Sequence, residues 1–145
     1  MEKTDRKKVF MDLLIRGEQM ANVEGAAQTA QFLQCTIRLM NYLGNDCEWG
    51  TVRDELNAIQ CYLNILRQCF ATRCTLECAL GADEFIRRRT LLEALMDACP
   101  VERFAGEWDT ELYIQICEQA EGGYALRGKT ISGDAERPFE RRVLH

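Results

Sequence analysis

The sequence has little histidine and little proline. Its single histidine, His145, is the last of 145 residues, and it contains only two prolines. With no second imidazole, the chain offers neither a histidine-containing catalytic triad nor a histidine-based metal site. The scarcity of proline and a hydrophobic fraction of 47% argue against a proline-rich linker or a disordered chain. We therefore expect an ordinary folded unit of about one domain.

Long apolar runs and an excess of basic charge are also missing. No stretch approaches the ~20 apolar residues needed to cross a bilayer, and segment 1–8 is charged rather than signal-like. Lysine and arginine together number 18 and aspartate and glutamate 23, so the formal net charge is −5. Because nucleic-acid phosphates are bound by basic surfaces, this balance argues against nucleic acid as the main partner. We expect a cytoplasmic protein with no nucleic-acid or membrane partner.

Cysteine, in contrast, is abundant, with eight residues in the chain. A disulfide framework is typical of short secreted proteins, and a zinc site needs closely spaced pairs of ligands, usually with histidine. The nearest candidate pair is Cys74 and Cys78, which has no histidine near it. Most of the cysteines fall at apolar positions, where a free thiol packs like a small hydrophobic group. We expect structural thiols and no metal or other cofactor, with disulfides and a metal site as the alternatives.

Helical periodicity dominates the first half of the chain. Apolar residues recur at helical spacing over about 5–22 and 26–43. A third helix is predicted to begin after Thr51, which together with Asp54 forms a capping-box pattern. Its main apolar residues are spaced 4, 3, 4, 3 and 4 positions apart, which is typical of the seam of a helical bundle. These seam residues are Val52, Leu56, Ile59, Leu63, Leu66 and Phe70.

We expect this seam to lie at an interface. Tyr62, Ile65 and Cys69 widen its apolar face, and the helices before it can cover only one of the two surfaces. An uncovered apolar stripe of this size marks an interaction surface. The seam therefore predicts a homodimer in which this helix contributes to a four-helix bundle. The alternative is a lone seam that captures another protein.

The second half of the chain combines strands with one helix. Residues 73–80 alternate polar and apolar side chains, which predicts a strand, and residues 83–99 have a helical pattern. Segments 111–119 and 124–131 alternate again on either side of Glu121-Gly122-Gly123, which predicts a hairpin. The predicted fold class is α+β, with a helical bundle or hairpin part at 1–70, a strand-helix-hairpin part at 71–133 and a polar, frayed tail at 134–145.

The third helix resembles a known family. Segment 51–70 (TVRDELNAIQCYLNILRQCF) is similar to the helix that precedes the ATPase domain in LytS-type sensor histidine kinases, whose pattern is TLxEELxxIxxYLxIxxxRF. The strand, helix and hairpin after it resemble the first third of a GHKL-type ATPase domain. The resemblance implies a dimerisation part, the start of a nucleotide-binding domain and a place in two-component signalling. The matching residues are Thr51, Glu55, Leu56, Ile59, Tyr62, Leu63, Ile65 and Phe70.

The residues that carry the chemistry of that family are missing from the matching positions. The stretch that corresponds to the phosphoacceptor, residues 8–12 (KVFMD), contains no histidine, and phosphorylation on histidine needs an imidazole nitrogen. The asparagine that holds Mg²⁺ corresponds to Ala98, beside an acidic Asp97. The aspartate that precedes Gly-x-Gly and binds adenine has no counterpart, because Asp134 follows the glycines of segment 127–134.

We therefore expect a degenerate, truncated LytS-type kinase without catalytic activity, which forms a homodimer and regulates a sensor kinase or a response regulator. Two alternatives stay open. A phosphorelay protein of the sporulation phosphotransferase type has a similar helical hairpin but also needs a phosphoacceptor histidine. An enzyme of an unrelated class would need convergent polar groups that no motif supplies. The triplet Arg87-Arg88-Arg89 is interpreted as a solvated face of a helix.

Overall fold

The structure, a computed structural model, describes residues 3–104 and 109–144; side chains are described from Met11 onward, except at positions 12 and 13. The chain divides into two compact units, Met1–Asn45 and Asp46–His145. The boundary expected at residue 70 thus lies at residue 45, because the third helix packs with the elements that follow it. Each unit is described separately below.

The first unit is a hairpin of two helices, α1 (Lys3–Val23) and α2 (Ala27–Gly44), as the periodicity predicted. Gly25 lies in the turn with φ +76°, a left-handed conformation that glycine adopts without steric cost. Gly17 of α1 faces Leu33 of α2, and a Cβ added at Gly17 would lie 3.4 Å from the Leu33 side chain. Among the described residues of this unit, few side chains are buried, and most of them are small: Ala21, Ala30, Cys35 and Leu39.

The second unit combines a mixed sheet with helices on one face, so the α+β class is confirmed. Its elements in chain order are β1 (Trp49–Thr51), α3 (Val52–Phe70), β2 (Arg73–Cys78), β3 (Phe85–Arg87), α4 (Thr90–Ala98), α5 (Val101–Phe104), β4 (Glu111–Glu118), β5 (Tyr124–Ser132) and β6 (Ala135–Val143). The main sheet has the strand order β2-β4-β5-β6. Strand β2 runs parallel to β4, and the other neighbours are antiparallel.

The core of this unit lies between the sheet and the helices. Alternate residues of β4 point inward, and Leu112, Ile114 and Ile116 are buried while Tyr113 and Gln115 are exposed. Helix α3 contacts α4, α5, β1 and β2, and α4 contacts β5 and β6. A sheet with one covered and one solvated face is the usual arrangement for antiparallel strands.

The predicted hairpin at residues 121–123 is confirmed. The Gly122 N–H donates a hydrogen bond to the Gln119 carbonyl at 3.1 Å, which closes a turn between β4 and β5. Gly122 and Gly123 both have positive φ, +95° and +80°. A Cβ added at Gly123 would also lie 2.5 Å from the Val143 carbonyl oxygen. Glycine is therefore required here for both backbone conformation and space.

The segment expected to be a frayed tail is a strand instead. Strand β6 pairs with β5 along its whole length, across a two-residue turn in which Gly133 has φ +61°. Polar composition misled the prediction, because a strand at a sheet edge needs few apolar side chains. Pro138 lies opposite Lys129, at a position where the backbone nitrogen of β6 points away from β5. The proline therefore removes no hydrogen bond from the ladder.

The helix predicted over 83–99 is shorter than expected. Residues Phe85–Arg87 form β3, which pairs with β1 in a two-stranded ribbon, and α4 covers only Thr90–Ala98. Arg89 between them has φ +75°, a left-handed conformation that separates strand from helix. The prediction was wrong because the adjacent apolar residues Phe85 and Ile86 fit both periodicities.

Candidate functional site

The seam of α3 is covered by the chain itself. Four of its six residues are 0% exposed in the single chain: Val52, Ile59, Leu63 and Leu66. Leu56 and Phe70 are partly exposed. The cover comes from elements of the same unit, since α3 contacts α4, α5, β1 and β2. The expectation of an uncovered stripe is therefore wrong, because it considered only the helices before the seam.

The residues beside the seam support the same conclusion. Tyr62 is buried, and its hydroxyl donates a hydrogen bond of 2.5 Å to the Cys99 carbonyl at the end of α4. Burial raises the pKa of Tyr62 well above its ordinary value of 10.0. Ile65 is partly exposed and Cys69 is exposed. The wide apolar face of α3 is thus mainly the core of the second unit.

A buried carboxylate, which no motif singled out as a site residue, joins α3 to α4. Glu55 is 0% exposed. Its Oε2 accepts a hydrogen bond from the Arg89 N–H at 3.0 Å, and its Oε1 accepts one from the Leu92 N–H at 2.9 Å. Backbone N–H groups at the start of a helix have no partner within the helix, and a carboxylate there also complements the helix dipole. Glu55 therefore fixes the start of α4.

The start of α3 itself is capped as the sequence predicted. The Asp54 N–H donates a hydrogen bond to the Thr51 hydroxyl at 3.3 Å, and the Thr51 N–H donates one to Asp54 Oδ2 at 3.2 Å. This is a complete capping box. Backbone bonds from Val52 to Glu84 and from Arg53 to Ala82 connect the same turn to the segment before β3.

The end of α4 holds the position that corresponds to the Mg²⁺-binding asparagine. Ala98 and Cys99 are both 0% exposed, and burial raises the pKa of the Cys99 thiol to about 12. Neither an alanine methyl group nor a neutral thiol is a ligand for Mg²⁺, which takes oxygen donors. The neighbouring Asp97 accepts a hydrogen bond from Arg141 Nε of β6 at 2.9 Å. The acidic side chain at this position therefore pairs with the strand that was expected to be a tail.

The glycines of segment 127–134 have structural explanations. Gly128 lies in β5 opposite Ile114. A Cβ added there would collide with the Tyr113 carbonyl oxygen and lie 2.6 Å from the ring of Phe139 on β6. Gly133 and Asp134 form the turn that leads into β6. This segment is thus strand and turn, and its glycines allow close strand packing.

The cysteines occupy both buried and exposed positions. Of the eight cysteines, Cys35, Cys61 and Cys99 are buried, and Cys47 and Cys69 are exposed. Among the residues that the structure describes, no group of three or more His, Cys, Asp or Glu side chains could hold a metal ion.

The arginine triplet does not form the helix face expected for it. Arg87 lies in strand β3, and Arg89 has the left-handed conformation that precedes α4. Arg87 pairs with Glu48 at 3.2 Å, and its guanidinium lies 5.5 Å from the centroid of the Trp49 ring. The segment that corresponds to the phosphoacceptor lies in α1, but only Met11 of its five side chains is described, and His145 lies outside the described residues.

An open basin of about 380 Å³ lies on the outer face of the sheet, where Thr75, Tyr113, Arg127 and Lys129 line it. Its two cationic side chains already have partners: Arg127 pairs with Glu140 at 3.6 Å and Lys129 with Glu136 at 3.0 Å. The basin is therefore a shallow, solvated part of the sheet with ion pairs on it, and it does not resemble a pocket with convergent polar groups.

No protein-family model matches the chain, and no curated protein matches it. Across 3–104 and 109–144, no helix is long and apolar enough to cross a membrane. The likeness to LytS-type kinases therefore depends on the motif in α3 and on the order of elements after it.

Proposed function

We propose that the chain is a non-catalytic regulator of two-component signalling that resembles a sensor histidine kinase and binds a sensor kinase or a response regulator. The observation that carries the proposal is the set of side chains at the end of α4. Ala98 and Cys99 are buried in the core, and Asp97 pairs with Arg141. By the resemblance, this end of α4 corresponds to the Mg²⁺ site of a kinase. Its buried methyl and thiol groups and its ion-paired aspartate support a role in binding rather than in phosphoryl transfer.

The surface proposed for partner binding is the helical hairpin of the first unit. Along α1, Ile15, Met20 and Val23 are 38%, 63% and 88% exposed. A hairpin of this size buries too little apolar surface to be stable by itself. Packing against a second helical hairpin would complete a four-helix bundle. The second hairpin comes either from a second copy, which gives a homodimer, or from the kinase partner.

This proposal replaces the α3 seam as the binding surface. The seam residues are held in the second unit, whereas the exposed row on α1 belongs to the first. A partner that recognises the row must bring an apolar helix face of its own, because Met20 and Val23 offer mainly apolar area.

The test combines a double substitution with a matched control. Met20→Glu with Val23→Glu places two carboxylates on the proposed surface, and Gln31→Glu places one at an exposed position of α2. We expect the double variant to lose binding to purified kinase dimerisation domains and response regulators from the same genome, and the control to keep it. Equal binding by both variants, or no binding of the unmodified chain to any of these proteins, would contradict the proposal.

Nucleotide binding provides a second test. We expect no saturable rise in melting temperature when Mg-ATP is added, because a ligand that binds only the folded state would raise it. A clear, saturable rise would contradict the proposal that the chain is non-catalytic and binds no nucleotide.

A further inference from the structure

The outer edge of β2 has hydrogen-bonding groups available for another strand. The Arg73 N–H donates to the Thr110 carbonyl and the Ala79 N–H to the Ile116 carbonyl, both at 2.9 Å. Successive residues of a strand direct their backbone groups to opposite sides, so Cys74, Leu76 and Cys78 direct theirs away from β4. Within the described part of the chain, no strand pairs with this side of β2.

The two edges of the sheet differ in how they are protected. Strand β6 carries Pro138 and several charged residues, which are the devices that commonly prevent pairing at an exposed edge. Strand β2 has no proline, and the residues whose backbone groups point to its open edge, Cys74, Leu76 and Cys78, are uncharged. Its two charged residues, Arg73 and Glu77, lie on the exposed face of the sheet. Its cover is the Arg67 side chain, whose Nη2 donates to the Cys74 carbonyl at 3.3 Å. An incoming strand that pairs with Cys74 would have to displace this side chain.

We propose that β2 pairs antiparallel with β2 of a second copy, around a two-fold axis at Leu76. This register pairs all three outward-directed residues, with Cys74 opposite Cys78 of the second copy. It also places Thr75 opposite Glu77 of the second copy on the exposed face, so no like charges meet. A register centred on residue 77 instead would set the two Glu77 carboxylates against each other, which destabilises a strand pair.

The inner side of β2 also gains from this pairing. Cys74, Leu76 and Cys78 are only half-buried on the side that faces the helices, in contrast to the inward residues of β4. A strand added at the edge would extend the apolar row and remove these side chains from water. The proposal does not depend on the function proposed for the first unit.

Two charge variants at one exposed position test the pairing. Thr75→Glu places carboxylates opposite each other, and Thr75→Lys places an ammonium group opposite Glu77 of the second copy. The pair of residue 75 with Glu77 of the second copy occurs twice across the two-fold axis. We therefore expect Thr75→Glu to weaken dimerisation, and Thr75→Lys to strengthen it, by about 3- to 30-fold each. Sedimentation equilibrium from micromolar to near-millimolar concentrations measures both. A helical dimer formed by the first unit would not respond to residue 75.

Thiol oxidation reports the register. The Cα atoms of opposed residues with paired hydrogen bonds lie about 5.5 Å apart, a distance that a disulfide can span. The oxidant diamide takes one hydrogen from each of two thiols as the S–S bond forms. The exposed Cys47 and Cys69 are first replaced by serine, so that they cannot cross-link. In this double variant we expect an intermolecular disulfide between Cys74 and Cys78, and we expect the further change Cys78→Ser to abolish it. The absence of self-association, equal behaviour of the two Thr75 variants, or a cross-link that survives Cys78→Ser would overturn the proposal.

Discussion

The two units of the chain reach stability in different ways. The hairpin of α1 and α2 buries small residues such as Ala21 and Ala30, and it leaves Met20 and Val23 exposed. The second unit buries complete rows of Leu and Ile side chains and supplies partners for its helix ends from within, as Glu55 does for α4. A unit that completes its own core needs no partner to fold, whereas a hairpin with so small a core would gain stability from one. The following predictions test how self-sufficient the second unit is.

The largest effect is expected at Glu55. Glu55→Ala removes the carboxylate that accepts hydrogen bonds from the backbone N–H groups of Arg89 and Leu92. We expect the free energy of unfolding to fall by about 3–5 kcal/mol, and less for Glu55→Gln, which keeps one acceptor oxygen. Urea denaturation measures the change, with the exposed Glu93→Gln as control. A loss below that of the control would show that the contact is unimportant for stability.

Leu63 tests whether the seam belongs to the core of the single chain. Because Leu63 is fully buried, Leu63→Ala should cost about 2–5 kcal/mol, and the partly exposed Leu56→Ala should cost less. We expect the loss caused by Leu63→Ala to be the same at low and high protein concentration, because Leu63 is buried within the single chain. If instead Leu63→Lys gave a well-folded monomer from a dimeric parent, the seam would be an interface after all.

Gly128 tests the close approach of β4, β5 and β6. Gly128→Ala forces a Cβ against the Tyr113 carbonyl and the Phe139 ring, and we expect a loss of about 1–3 kcal/mol. Gly81→Ala is the matched control, since its nearest atom would lie at an ordinary 3.5 Å. Thermal unfolding should give a lower melting temperature for Gly128→Ala than for Gly81→Ala. Equal melting temperatures would contradict the close packing of the strands at Gly128.

The smallest effect is expected from alkaline pH. Burial raises the pKa of Cys99 from 9.0 to about 12 and that of Cys74 from 9.0 to about 11. Above pH 9 the unfolded chain releases these protons and the folded chain keeps them, so stability is complete below pH 9 and falls as pH rises towards 11 and 12. At pH 10 Cys99 should account for a loss of about 1–2 kcal/mol, and Cys74, which is less buried and less shifted, for a smaller one. Cys99→Ala should flatten this dependence, and an unchanged slope would rule out Cys99 as its source.

The sequence predicts those elements whose signals are local. The capping box at Thr51, the seam of α3 and the glycine turn at 122–123 all depend on residues close in the chain, and all three form. What covers the seam could not be predicted, because the cover comes from α4 and from strands distant in sequence. Strand β6 and ribbon strand β3 were missed because their stability depends on pairing with β5 and β1 rather than on their own composition. The role of Glu55 was hidden for the same reason: its partners are backbone groups 34 and 37 residues away.

The strand order of the main sheet also sets an order of folding. Strands β4, β5 and β6 are consecutive and joined by tight turns, so closing them costs little chain entropy. Strand β2 joins β4 in parallel, and the first residue pair, Arg73 and Glu111, lies 38 positions apart in sequence. Loop closure over that distance makes the β2 contact the slower one to form. We therefore expect the β4-β5-β6 meander to assemble first and to receive β2 and α3 afterwards. Hydrogen exchange during refolding should then protect the Leu126 amide before that of Thr75, whose N–H points towards β4.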